Sequence, residues 1–141
     1  MNYNIPITKT LNWNPSGAGQ INALIAESRG MGKSWMGMYL TIKLAKLKPS
    51  TQIYCIDFKR SDIYSLRTLL PKDRVAGTKE EIFNLLEHFV DLMRRRGEFV
   101  TNCTKFGETS SSLGMPLYYL IYDEFGAVTA TLDSKEKKKQ S

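Results

Sequence analysis

Few cysteines, a single histidine and no apolar run of membrane-spanning length are the first limits this 141-residue chain sets. Cys55 and Cys103 are too few for a disulfide framework, and no Cys/His spacing matches a zinc site. His88 falls among Leu86, Glu87, Phe89 and Val90 on an expected helix, which suits a surface or flank histidine better than a catalytic one. A membrane-crossing helix needs roughly 20 apolar residues, and the first four residues carry no signal-peptide pattern. The expectation is a soluble, cytoplasmic chain with no membrane segment of its own, any membrane association coming through regions or partners outside it. Acidic residues are also in deficit, 14 against 20 basic ones, for a net charge of +6. That excess suits a polyanionic partner such as a nucleotide or DNA. Part of it sits in the KEKKK run at 135–139, which also reads as a solvated helix end or tail. An apolar share of 42% with 24% charged residues is ordinary for one globular domain long enough for a real core.

The stretch around which the rest is organised begins at residues 21–26, INALIA, which read as a short buried strand. It is followed by Glu27, Ser28, Arg29, Gly30, Met31, Gly32, Lys33 and Ser34, and then by an apolar helical run from Trp35. A strand that breaks into a glycine-containing loop and reopens as a helix at Gly-Lys-Ser is the arrangement of a phosphate-binding P-loop. Backbone N–H groups of the loop and first helical turn converge on one spot, where the helix dipole adds partial positive charge. Residues 28–35 are therefore the candidate nucleotide-binding set, with Lys33 reaching the β/γ-phosphates and the Ser34 hydroxyl helping to hold Mg²⁺. The full pattern places glycine where this chain has Glu27. A carboxylate there costs energy beside phosphates unless it points away or pairs, Arg29 being the nearby cation. Without further support, a Gly-Lys-Ser tripeptide is equally a plain helix start.

Support comes at residues 117–124, LYYLIYDE, an apolar and aromatic run that reads as a strand buried on both faces of a parallel sheet. It ends on Asp123 and Glu124. Ligands of doubly wound sheets bind beyond the carboxyl ends of the strands, where these two carboxylates emerge. Asp123 is the expected Mg²⁺ partner, as in a Walker B strand, and Glu124 the expected general base that polarises the attacking water.

Between these motifs the chain reads as alternating helix and strand. Residues 3–13 form an extended lead-in interrupted by Pro6, and 14–19 a turn cluster. The run Trp35, Met36, Tyr39, Leu40, Ile42, Leu44 and Leu47 predicts a helix mostly buried against a sheet and stopped by Pro49. Residues 51–56 predict a second parallel strand ending in the charged segment 57–62. Residues 63–70 predict a short helix ending at Pro71, and 74–76 a brief edge strand. Thr78 and Glu81 have capping-box spacing, opening a helix whose Ile82, Leu86, Phe89 and Met93 share one face. Arg94, Arg95 and Arg96 fall where a C-terminal dipole favours cations, with Gly97 as the expected stop. Either that explains them, or one of them reaches a phosphate in this subunit or a neighbour. Residues 98–115 form a long connection.

Four pieces in this order resemble the motor domain of the FtsK/SpoIIIE family of DNA translocases, in the branch associated with conjugative and integrative elements. They are the P-loop at 30–34, the segment IDFKRSD at 56–62, the helix segment DLMRRR at 91–96, and YDEF at 122–125. Phe58 stands where the family's Asp-Pro-Lys-like segment has proline. The resemblance covers roughly residues 20–140. It implies an α/β fold, a P-loop NTPase built as a RecA-like three-layer sandwich with a mostly parallel sheet, with residues 1–20 as a lead-in and 21–141 as a partial ATPase domain. It implies ATP and Mg²⁺ as cofactors, with Lys33 and Ser34 on phosphates and metal, Asp123 on the metal and Glu124 on water. The implied partners are double-stranded DNA and further copies in a ring, usually a hexamer, and the implied process is DNA transfer of a mobile element. Two departures bear on affinity: Glu27 for the first glycine and Arg29 for the usual threonine.

In that family the strand after Walker B inserts between the two motif strands and carries a sensor residue. This chain, read as truncated after its Walker B strand, offers none, so the expectation is a fragment lacking the later motor half and the small DNA-reading domain. Its two motif strands should then either close directly on each other or leave a slot filled by another chain. A nucleotide-binding interaction module without hydrolysis is the alternative, and a small-molecule P-loop kinase ranks lower because no acceptor-binding lid is evident. Lys43, Lys46, Lys48 and Lys105 are exposed cations of no assigned role.

Overall fold

The structure, a computed structural model, describes residues 3–16, 22–26, 32–103 and 105–123. In chain order the elements are β1 (Ile5–Pro6), β2 (Asn12–Trp13), α1 (Lys33–Ala45), β3 (Gln52–Asp57), a 3₁₀ helix (Ile63–Thr68), β4 (Val75–Ala76), α2 (Lys79–Cys103) and β5 (Tyr118–Asp123). The last three strands named with β3 at the centre form a parallel sheet of order β4-β3-β5. β3 and β5 run in register from Gln52 opposite Tyr118 to Asp57 opposite Asp123, so both strands end on a carboxylate side by side.

The unbroken apolar run of β3 is explained by cover on both faces. Side chains alternate across a strand. Ile53 and Cys55 thus join Leu40 and Leu44 of α1, Ile63 and Leu66 of the 3₁₀ helix, and Ile5 of β1. Tyr54 and Ile56 join Ala76 of β4 and Ile82 and Leu85 of α2. β5 divides the same way, Tyr119 and Ile121 toward the first cluster, Tyr118, Leu120 and Tyr122 toward the second. The result is a helix–sheet–helix arrangement, mixed α/β with a parallel sheet and compatible with a RecA-like fold. Full burial of each large aliphatic side chain contributes roughly 1.5–3 kcal/mol.

Cys55 lies at the centre of this arrangement with no exposure. Burial, with Asp57 nearby, pushes its thiol up to about 12. An unfolded thiol ionises near pH 8.5–9, so this site's stabilising contribution is complete below that pH and declines as pH rises toward 12. In a Cys103→Ser background, Cys55 should react with an aromatic disulfide reagent at pH 8 only at the rate of unfolding, and denaturant should restore fast labelling. Rapid labelling of the native chain would contradict this burial.

Four local expectations change. Residues 22–26 form no strand and are exposed, Leu24 at 91%. The outer edge of β5 has no strand partner among the described residues, and an extended segment with no neighbour to hydrogen-bond gains nothing from strand geometry. The motif strands accordingly do not close on each other. Second, the lead-in folds back as a two-stranded antiparallel hairpin pairing Ile5 with Trp13, and Ile5 is 1% exposed. Tyr39 of α1 holds it through a hydroxyl donated to the Pro6 carbonyl at 2.5 Å.

Third, α1 is buried on a narrower stripe than expected. Leu40, Thr41 and Leu44 are buried, but Trp35 and Ile42, seven residues apart and so on one outer stripe, are exposed. Fourth, Gly97 does not end its helix, which continues to Cys103. An interior glycine costs only about 1 kcal/mol, and Arg94–Glu98 at 2.7 Å and the Thr101 hydroxyl on the Gly97 carbonyl span that point. The expected start does form: Thr78 Oγ1 accepts from the Glu81 amide at 3.3 Å and donates to Glu81 Oε1 at 2.8 Å.

Candidate functional site

The end of the loop and the start of α1 are set by Gly32. It adopts φ 94°, ψ 17°, a left-handed conformation that favours glycine, and its carbonyl accepts from the Met36 amide at 3.0 Å. The chain thereby enters a helix at Lys33, with the positive end of the helix dipole at that point. Across from it, β5 delivers Asp123 at its carboxyl end. Lys33 Nζ lies 3.0 Å from Asp123 Oδ1, with side chains 32% and 14% exposed. Lys33 and Ser34 line one cavity of about 740 Å³ with Asp123. Residues 22–25 and the whole of β5 line it too, and Phe89 and Met93 of α2 reach the same cavity.

A partly exposed ion pair is worth only about 0–1 kcal/mol, whereas hydrogen bonds between charged groups and phosphate contribute roughly 1.5–3 kcal/mol each. A phosphate seated at this helix start would compete with Asp123 for Lys33. Among the described residues no group of three His, Cys, Asp or Glu could hold a metal by itself. Mg²⁺ is usually bound through one or two carboxylates, with substrate phosphates and waters completing its shell. One carboxylate and the Ser34 hydroxyl, both lining the cavity, fit that chemistry.

Asp57, beside Asp123 in the register, does something else. It is fully buried, and Oδ2 accepts from the backbone amides of Ser61 at 2.7 Å and Tyr64 at 3.0 Å and from the Ser61 hydroxyl at 3.1 Å. It fastens the loop after β3 to the sheet. The sequence marks this position only as another charged strand end; its burial was not visible there.

Of the expected nucleotide set, the structure brings Lys33, Ser34 and Asp123 to one cavity. Trp35 turns outward, 82% exposed, and is not among the lining residues. Ser28, Arg29, Gly30 and Met31, together with Glu27 and the expected base Glu124, lie outside the described residues. The three arginines of α2 have local partners. Arg94 bonds Asp91 at 2.6 Å and Glu98 at 2.7 Å, and Arg95 bonds Asp91 at 3.0 Å. The hydrogen bond from Arg94 is the main cause holding the Asp91 carboxyl below its ordinary range. Arg96 donates to the Pro116 carbonyl at 2.7 Å and lies over the Tyr118 ring at 4.5 Å, tying α2 to the start of β5.

Among curated proteins the chain is similar to the FtsK domain-containing protein YdcQ of Bacillus subtilis (strain 168), 29% identical over 135 residues. The match covers 94% of this chain and 27% of that protein's length. No family model matches the chain, and no solved structure matches it. The similarity supports at most an FtsK-like relationship. Among the described residues no helix is long and apolar enough to cross a membrane.

Proposed function

We propose that this chain is the nucleotide-binding part of an FtsK-type motor that moves double-stranded DNA by ATP hydrolysis. The observation that carries the reading is the meeting of Lys33 with Asp123 at 3.0 Å, which joins two motifs far apart in the chain. A glycine-led helix start facing a carboxylate at a strand's carboxyl end is the juxtaposition Mg-ATP requires. In this reading Lys33 binds the β/γ-phosphates, Ser34 and Asp123 hold Mg²⁺, residues 28–32 supply backbone amides, and Glu124 activates water. The DNA half rests on the similarity to an FtsK domain-containing protein and on the net charge of +6. Assembly as a hexameric ring and service to a mobile element belong to the same proposal.

Titration calorimetry with Mg-ATP, followed by phosphate-release assays with and without duplex DNA, tests it. Binding with DNA-stimulated turnover is the expected result. Binding without turnover, unchanged by Glu124→Gln, would instead favour a nucleotide-dependent interaction module. A folded chain that binds no nucleotide would overturn the reading.

A further inference from the structure

A second cavity, of about 620 Å³, opens on the α2 side of the sheet at the β4 edge, and none of its lining residues belongs to the Lys33–Asp123 cavity. Arg67, Lys72 and Arg74 line it. Among the described residues none of the three has an ion-pair partner. Two of them are held in place by aromatic rings instead. The Arg74 guanidinium lies over the Tyr54 ring at 4.3 Å, and that of Arg67 over the Tyr64 ring at 4.4 Å. A guanidinium over a ring face can still donate through its N–H groups, and its planar fork suits bidentate contact with phosphate oxygens. Arg67 spends one donor on the Tyr64 carbonyl at 3.2 Å and keeps the rest.

Two carboxylates, Asp73 and Glu81, share the cavity, and Glu81 is engaged by the Thr78 hydroxyl. The aromatic surface is already used. Tyr54 carries Arg74 and also packs against Phe89 edge-on and Tyr118 in a stack, while Tyr64 carries Arg67. Two ring faces that could stack a base are thus covered by guanidinium. Phosphate contacts position a nucleic acid without reading its sequence.

We infer that Arg67, Lys72 and Arg74 form a docking surface for the phosphate backbone of a nucleic acid, separate from the nucleotide site and independent of base sequence. The inference deepens the DNA half of the proposed function and rests on it. Phosphate contacts release counterions, so each lost contact lowers the slope of log affinity against log salt by about 0.9 on duplex DNA and about 0.7 on a single strand.

The test is fluorescence anisotropy without nucleotide, from about 50 to 200 mM salt, on duplex and single-stranded DNA of several sequences, with polyglutamate as competitor. Lys72→Glu changes an exposed side chain that stacks on nothing, and an Arg67→Gln/Arg74→Gln double variant is accompanied by thermal melts. Expected is a slope reduced by at least about 0.9 for Lys72→Glu, whose new negative charge adds repulsion to the lost contact, and by about 1.8 for the double variant on duplex, equal across sequences. An unchanged slope in folded Lys72→Glu and the folded double variant would overturn the docking surface while leaving DNA binding itself in place. Polyglutamate displacing DNA at equal charge would overturn the phosphate specificity. No DNA binding by a wild-type chain that still binds Mg-ATP would overturn this inference and the DNA half of the reading, but not the nucleotide site.

Discussion

Lys33→Ala is expected to weaken Mg-ATP binding by about 10- to 100-fold, the equivalent of removing one charge-assisted hydrogen bond worth roughly 1.5–3 kcal/mol. Fold stability should fall by less, because Asp123, at 14% exposure, keeps some access to water once Lys33 is gone. This separation between a large effect on affinity and a smaller one on melting marks a ligand-binding cation, whereas a structural lysine would shift both together. Lys46→Ala, an equal charge change on an exposed residue just past α1, controls for long-range attraction. Calorimetric affinity within about threefold of wild type for Lys33→Ala would remove Lys33 from the phosphate site, since even the smallest estimate exceeds that.

Asp57→Ala is expected to cost roughly 2–5 kcal/mol of folding stability, read by chemical denaturation. Its carboxylate accepts from two backbone amides and a hydroxyl in a fully buried setting. Each buried donor left without a partner costs about 1–3 kcal/mol. Asp57→Asn retains an acceptor and should lose about half as much. Ser61→Ala removes only the hydroxyl and should cost about 1.5 kcal/mol, the low end for a hydrogen bond to a charged group. The loop these bonds hold leads through Tyr64 to Gly77, where an added Cβ would come within 2.6 Å of Arg60 Cγ and 2.7 Å of Tyr64 Cε2. Stability equal to wild type in Asp57→Ala would mean that water replaces the carboxylate.

The two predictions differ in what the sequence discloses about them. Lys33 is announced by its neighbours, because Gly32, Lys33 and Ser34 are adjacent and the left-handed backbone at Gly32 is a local requirement. Asp57 looks like any charged residue after an apolar strand. Its importance depends on burial, which depends on Ser61 and Tyr64 folding back over it.

The same division runs through the whole chain. Sequence by itself determined the strands at β3 and β5, whose apolar runs require cover on both faces, and the start of α2, where Thr78 and Glu81 bond within one turn. It also placed a lysine at a helix start and an aspartate at a strand end. Tertiary structure alone decided that the two meet at 3.0 Å, that residues 22–26 remain outside the sheet beside a β5 edge with no strand partner among the described residues, that β1 and β2 form a hairpin closing the core with Ile5, and that α2 runs through Gly97. The physical reason is the range of the interactions. Caps, turns and periodicity act within a few residues, while a strand's place, an ion pair across a cavity and the burial of a carboxylate depend on neighbours that only folding supplies.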